Sequence, residues 1–309
     1  MLPPRMVLLP STVGFIFLLN LFISLLKWIF TTFLRTPKNL THYGSWALIT
    51  GATDGIGKAL AKKCAQQGLN LILVSRSHNK LKAVETELRA EYPDTKITTV
   101  EFDFTGNISN GVRSIEKAID GVEVGILINN VGITYPSAMF FHEVEEKVWM
   151  DIVRVNLEGT TRVTKAVLSG MIKRKRGAIV NIGSGAAIVV PSHPLFTIYA
   201  ATKAYVDQLS RSMHVEYKKF GIDVQCQVPL YVATKMVSKV ASIEKRSMFI
   251  PSPDDYAEAS ISWIGYEARC TPYWPHSLQW SFASLLPHSI LDAWRLSIGI
   301  RRRSHSTFT

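Results

Sequence analysis

The sequence predicts an α/β fold: a Rossmann-like, doubly wound parallel sheet preceded by an N-terminal membrane anchor helix. Three observations carry that expectation. From residue 45 onward, short apolar runs alternate with amphipathic helical stretches. A glycine-rich turn, Gly51-Ala52-Thr53-Asp54-Gly55-Ile56-Gly57, stands between the first apolar run and the first helix. Ahead of both lies a stretch of nineteen residues without a charge, residues 8–26, LLPSTVGFIFLLNLFISLL.

At 309 residues the chain can form one large domain plus an appendage. A hydrophobic share of 47% against 19% charged indicates a globular core with extra apolar surface. Cys64, Cys226 and Cys270 form no pair spacing, which argues against a disulfide framework and for a reducing compartment. The histidines and cysteines show no metal-ligand spacing, so no metal is expected. A formal charge of +11 favours anionic partners: a membrane surface, a nucleotide phosphate or coenzyme A. Nucleic acid is not an expected partner, since the basic run at residues 173–176 reads as a solvated turn.

Taken in order, the first segment spans roughly the ~30 Å hydrocarbon core of a bilayer. Lys27, Trp28 and Phe30 follow it with no small-residue cleavage site, so a retained anchor is expected rather than a signal peptide. Arg5 precedes the span while Lys27, Arg35 and Lys38 follow, which places the bulk of the chain in the cytosol. Residues 45–50 read as a buried strand, 58–67 as an amphipathic helix, and 70–74 as a second strand. A charged helix at 80–91 and a third strand at 96–102 follow. Residues 124–128, 178–182 and 223–228 supply three more strands. Ser252-Pro253-Asp254-Asp255 has the cap, first-turn proline and acids of a helix start, running to about Gly265, and residues 269–274 suit a last strand. Residues 277–300 are rich in Trp, Leu, Ile and Phe, and are expected to lie at a membrane interface or to cover a channel. The expected division is an anchor and linker at 1–44, a dinucleotide-binding body at 45–276, and an apolar segment with a basic tail at 277–309.

The glycine turn lies where a dinucleotide pyrophosphate would meet a helix N-terminus. Its spacing is Gly-x3-Gly-x-Gly rather than the general Gly-x-Gly-x2-Gly fingerprint. After the second strand, where an NAD site carries an acid, this chain has Ser75 and Arg76. A guanidinium there suits a 2′-phosphate, so NADP(H) is the expected cofactor. Tyr-x3-Lys occurs at Tyr92/Lys96, Tyr199/Lys203 and Tyr231/Lys235. Pro93 breaks the first, and the third begins where a strand should end. Only Tyr199 and Lys203 fall in a run of helix formers, with Ser184 fifteen residues upstream. An ammonium roughly 5 Å from a phenol at a dielectric of ~20 favours the phenolate by about 3 kcal/mol, enough for acid–base work near pH 7.

This ordered set resembles the short-chain dehydrogenase/reductase family over residues 45–235. It comprises Thr50-Gly51-x3-Gly55-x-Gly57, Asp103, Asn129-Asn130-Val131-Gly132, Asn156, Ser184 and Tyr199-x3-Lys203. The resemblance implies cofactor contacts from Gly51, Thr53, Asp54, Gly55, Ile56, Gly57, Ser75, Arg76, Asp103, Asn130, Gly132 and Thr234. It further implies that Asn156 bends its helix and holds a water, Ser184 bonds the substrate carbonyl, Tyr199 donates the proton, and Lys203 bonds the nicotinamide ribose. Pro229-Leu230 departs from the Pro-Gly common in the family, which puts Thr234 in question. The anchor and the stretches at 228–236 and 263–267 look like microsomal 3-oxoacyl-CoA reductases of very-long-chain fatty acid elongation. The related 17β-hydroxysteroid dehydrogenases share much of the pattern. That likeness implies an endoplasmic reticulum membrane enzyme facing the cytosol, a long-chain acyl-CoA substrate and elongase enzymes as partners, and it allows a homo-oligomer. A steroid or other lipid ketone reductase, or an elongase subunit with little turnover, are the competing expectations.

Overall fold

The computed structural model describes residues 4–241 and 245–306; residues 1–3 of the predicted anchor segment and 307–309 of the predicted tail lie outside the described residues. The chain divides into two units, Met1–Pro37 and Lys38–Thr309. In the first, helix α1 (Pro4–Ile29) runs into a π-helical turn at Phe30–Leu34. Thr12–Leu34 is 23 residues long and, among the described residues, the one helix long and apolar enough to cross a membrane. It is a candidate membrane anchor: large side chains along it, such as Phe15, Phe17 and Phe22, are exposed.

The second unit alternates strand and helix as expected. Its first half is β1 (Trp46–Thr50), α2 (Gly55–Gln66), β2 (Asn70–Ser75), α3 (His78–Glu91), β3 (Ile97–Glu101) and α4 (Ile108–Ile119). Its second half is β4 (Val124–Asn129), α5 (Glu146–Val153), α6 (Thr160–Arg174), β5 (Gly177–Ile182), α7 (Gly185–Ile188), α8 (Thr197–Tyr217), β6 (Ile222–Gln227), α9 (Lys235–Ala241), α10 (Pro253–Ser262) and β7 (Arg269–Cys270). Two helices follow, α11 (Trp274–Ser284) and α12 (His288–Ser306). The seven strands form one parallel sheet in the order β3-β2-β1-β4-β5-β6-β7. Strand order reverses between β1 and β4, and the crevice at the carboxyl ends of those strands is where such a sheet takes a ligand.

Successive strand residues feed opposite faces of the sheet, so the apolar runs build two cores. Ile49, Leu71, Leu73, Ile126 and Ile128 pack on one side with Leu60 and Cys64 of α2. Leu48, Ile72, Val74, Leu127 and Ile179 pack on the other with Val163, Val167 and Met171 of α6. Helix α2 starts three residues before the predicted residue 58, because the Asp54 carboxylate accepts the Gly55 N–H at 2.9 Å and caps it. The last strand is two residues rather than six, an edge strand paired only to β6. The folded unit also begins earlier than residue 45. Leu40 and Tyr43 are buried in the first core, and Lys38 and Tyr43 both bond Asp223 at the start of β6.

The C-terminal helices are amphipathic. Leu291, Arg295 and Gly299 of α12 face inward, where a Cβ on Gly299 would stand 2.8 Å from Leu195. Phe282, Leu285, Ile290 and Trp294 are exposed. At the head of α11, His276 is fully buried. Its Nδ1 accepts the Leu230 N–H at 3.3 Å, and its Nε2 lies 3.2 Å from the Tyr231 carbonyl, which pins the turn after β6. Burial pushes its imidazole down to about 4, so the native protein holds it neutral. The unfolded chain therefore binds a proton that the native state refuses between roughly pH 6.5 and 4, and this contribution to stability is present above pH 6.5 and lost as pH falls. We expect a decline of roughly 3 kcal/mol across that window from His276. Thermal melting against pH should show a shallower acid slope for His276→Gln than for the parent; equal slopes would refute it.

Candidate active site

Helix α8 carries Tyr199 and, one turn on, Lys203, so both lie on the face turned to β5 and the loop after β4. Ser184 ends β5 and caps the short α7, its Oγ accepting the Ala186 N–H at 3.1 Å. Ser184 and Tyr199 stand in the wall of the same cavity. Burial raises the Tyr199 phenol above its usual value, Ser184 pulls it down in part, and Tyr231 raises it further. Lys203 is buried, with Nζ donating to the Ile182 carbonyl at 2.8 Å, and burial lowers its ammonium to about 8. The sequence-based expectation of a phenol lowered by Lys203 is thus corrected for the free protein: the ammonium is directed at a backbone carbonyl, and desolvation dominates. A neutral phenol is the form that can give a proton.

Asn156 lies in a π-helical turn, Arg154–Gly159, that joins α5 to α6. The wide turn aims its amide at the strand-end loop. Its Oδ1 accepts the Ile133 N–H at 2.8 Å, while Nδ2 donates to the Ile133 carbonyl at 2.9 Å and to Thr202 Oγ1 at 3.0 Å. Asn156 so ties the loop after β4 to α8, one residue before Lys203. Gly132 sits between them: a Cβ there would lie 3.4 Å from both Asn156 Oδ1 and Lys203 Nζ. Deeper in the sheet, Asn129 donates to Thr164 Oγ1 and Asn181 Oδ1, both at 2.8 Å, and stiffens the two central strands.

The glycine turn is locked from beneath. Asn130 Nδ2 donates to the carbonyls of Thr50 at 3.0 Å and Gly51 at 3.2 Å, and Thr50 Oγ1 accepts the Asn130 and Val131 N–H groups. Gly51 has φ +66, and a Cβ on Gly57 would lie 2.3 Å from both Asn130 Nδ2 and the Gly51 carbonyl. Ile56 follows in the first turn of α2, half-buried. Thr53 and Ser75 share a hydrogen bond of 2.8 Å at the tip of β2, beside the exposed Arg76. Asp103 is exposed beyond β3, where its Oδ1 organises Thr105. Thr234 lies 3.1 Å from a Cβ built on Gly55, and the next residue, Lys235, bonds Asp54 at 2.8 Å. Burial would raise the Asp54 carboxyl, but Lys235 and the Gly55 N–H outweigh it and hold it below its usual value. That pairing offsets the negative charge of Asp54 at the mouth of α2. A glycine-rich cradle at a helix N-terminus, with a cation at the tip of β2, fits a dinucleotide phosphate. Pro229-Leu230 is accommodated because Leu230 packs on Gly185, whose N–H reaches the Pro229 carbonyl at 2.8 Å.

Beside Ser184 and Tyr199 opens an apolar cavity of about 780 Å3, walled by Val189, Phe196, Met236, Leu286 and Ile290 among others. Polar residues in its wall that were not foreseen from the sequence include His193, Tyr231, Arg295 and Arg302. The one available signal was an arginine between Trp294 and Leu296 in an otherwise apolar stretch.

Fold and site together fit the class of oxidoreductases that work with a nicotinamide dinucleotide. The chain belongs to the short-chain dehydrogenase family, whose model matches residues 45–245. It is 62% identical over 295 residues to a very-long-chain 3-oxoacyl-CoA reductase-like protein of Arabidopsis thaliana, covering 95% of this chain and 94% of that one. It is 40% identical over 250 residues to the inactive hydroxysteroid dehydrogenase-like protein 1 of Homo sapiens, covering 80% and 74%. A short-chain dehydrogenase from Sphingobium yanoikuyae, solved in complex with NADPH, superimposes with a TM-score of 0.62 at 30% identity, covering 70% of this chain and 83% of that one.

Proposed function

We propose that this protein reduces very-long-chain 3-oxoacyl-CoA to 3-hydroxyacyl-CoA with NADPH, as a membrane-anchored step of fatty acid elongation. The observation that carries this reading is the apolar cavity of about 780 Å3 whose wall includes Ser184 and Tyr199. Cavities of this order bury most of a ligand of ordinary size, and this one is lined for an alkyl chain. The relative from Arabidopsis thaliana, named for the same reaction, supports it.

When bound, the nicotinamide supplies the hydride. The Ser184 hydroxyl holds the ketone oxygen, and Tyr199 hands that oxygen its proton as charge develops there. Lys203 stabilises the phenolate left behind, and Asn156 positions the loop and a water that returns the proton. The exposed Arg76 pairs with the 2′-phosphate of NADP(H), while Asp103 bonds the adenine. Intact Ser184, Tyr199 and Lys203 favour turnover over a purely scaffolding role. Thr12–Leu34 anchors the chain in the endoplasmic reticulum membrane with the reductase unit in the cytosol. The exposed Phe282, Leu285, Ile290 and Trp294 suit a helix pair at the membrane interface, where an acyl chain would enter.

The test is NADPH oxidation by purified protein with a long-chain 3-oxoacyl-CoA and, in parallel, with steroid ketones. Turnover of steroids alone would overturn the substrate assignment. In the same assay Arg76→Ala should lower NADPH preference over NADH by roughly 10- to 100-fold, the loss of a charge-assisted pair. An unchanged ratio would remove Arg76 from the phosphate site.

A further inference from the structure

Arg295 is a cation in the wrong place for a purely apolar acyl tunnel. Arg295 is only 8% exposed and lies in the cavity wall. A buried guanidinium is costly unless something negative or strongly accepting meets it. Its neighbours supply little of that. Nη2 donates to His193 Nδ1 at 2.7 Å, and burial together with Arg295 and Arg302 lowers that imidazole to about 3, leaving it neutral. The Trp294 ring lies 5.7 Å from the guanidinium carbon. Nε has no partner at all. Asp292, one turn earlier on α12, is held by the Ser192 hydroxyl.

Arg302, two turns further along α12, joins the same wall. Its Nη1 donates to Tyr231 Oη at 3.0 Å and its guanidinium stacks over the Tyr231 ring at 5.4 Å. A phenol oxygen that accepts from a cation keeps its own O–H to give away, and gives it more strongly. Burial would raise the Tyr231 phenol, but Arg295 and Arg302 outweigh it and hold it below its usual value. Tyr231 also shares its cavity with the chemistry. It follows the Pro229 turn that bonds Gly185, the neighbour of Ser184, and it lines the same cavity as Ser184 and Tyr199.

We propose that Tyr231, Arg295 and Arg302 form a second oxygen subsite in the cavity, which takes the acyl carbonyl of a β-oxo acyl substrate while Ser184 and Tyr199 take its ketone. The inference rests on the reading of the site as a 3-oxoacyl reductase. Proximity to Tyr199 decides which oxygen it takes: the thioester carbonyl is two carbons from the reacting ketone, whereas the phosphates of coenzyme A lie many bonds away. The subsite makes the enzyme prefer β-oxo acyl compounds to plain ketones of equal length, because a plain ketone leaves Tyr231 and Arg295 unanswered.

The experiment compares kcat/KM for 3-oxododecanoyl-CoA, for its N-acetylcysteamine thioester, and for the methyl ketone that lacks the thioester carbon. Parent, Arg295→Met and Tyr231→Phe are assayed, with NADPH titration and melting to register intact folding. Both variants should lower the ratio of either thioester to the methyl ketone by about 10- to 100-fold, mostly through KM. Loss confined to the coenzyme A ester would overturn the proposal, since the arginine would then be reading phosphate. An unchanged ratio in folded Arg295→Met and Tyr231→Phe would overturn it while leaving the reductase reading intact. A parent that turns over the methyl ketone but neither thioester would overturn both.

Discussion

Tyr199→Phe is expected to lower turnover by about 100- to 10,000-fold and to leave nicotinamide cofactor affinity nearly unchanged. The substitution removes one oxygen and keeps the ring, which packs against the cluster of Tyr135, Ile152 and Phe196. Ser184 keeps its place at the cap of α7, and Lys203 keeps its bond to Ile182, so neither depends on the phenol for position. What disappears is the proton donor. A phenol raised by burial is protonated throughout the physiological range, so the parent has its acid in hand at the start of each cycle. Lys203, lowered to about 8, sets the other limit. Reduction should hold a plateau below pH 8 and fall as pH rises through it, because the deprotonated amine no longer supports the phenolate. Stopped assays of NADPH oxidation and fluorescence titration of the cofactor give the two quantities. Rates near the parent's in the phenylalanine variant would remove Tyr199 from the chemistry.

Gly57→Ala should be the most damaging single-methyl change in the molecule's phosphate cradle. The new carbon would stand 2.3 Å from the Gly51 carbonyl and 2.3 Å from Asn130 Nδ2. Neither can retreat cheaply. The first is backbone in a tight turn, and the second is held by two carbonyls that join β1 to the loop after β4. Forcing that contact costs about 1–3 kcal/mol of stability. The cost in cofactor affinity should be larger still, since the turn that meets the phosphates is what must move. Melting and NADPH titration of the variant should both shift, binding by at least about tenfold. A variant that binds cofactor like the parent would show that the turn has another way to relax.

Much of this site is written locally. The glycine turn, the cap at Asp54 and the one-turn spacing of Tyr199 and Lys203 are decided within a few residues, so they are legible in the sequence. Asn156 is half legible: its place in the ordered motif marks it, but only the π-helical turn shows how it spans Ile133 and Thr202. At α2 the helix begins at its Asp54 cap, which lies outside the apolar pattern that marks the helix in the sequence. At the last strand only Arg269 and Cys270 pair with β6, and the chain then leaves the sheet edge for α11 at Trp274.

The sequence by itself determined the class of the protein, the sheet that carries it and the one-turn spacing of Tyr199 and Lys203, because strand alternation, helix period and turn chemistry are short-range effects. The cavity was decided only by tertiary structure. His193 and Arg295 meet across 102 residues, and Tyr231 and Arg302 across 71. Tyr231, one of three tyrosines with a lysine four residues on, lines the cavity because residues of α11 and α12 close it from the far end of the chain. Buried polar groups gain their meaning from what surrounds them, and that is settled by packing between distant segments rather than by neighbours in the chain.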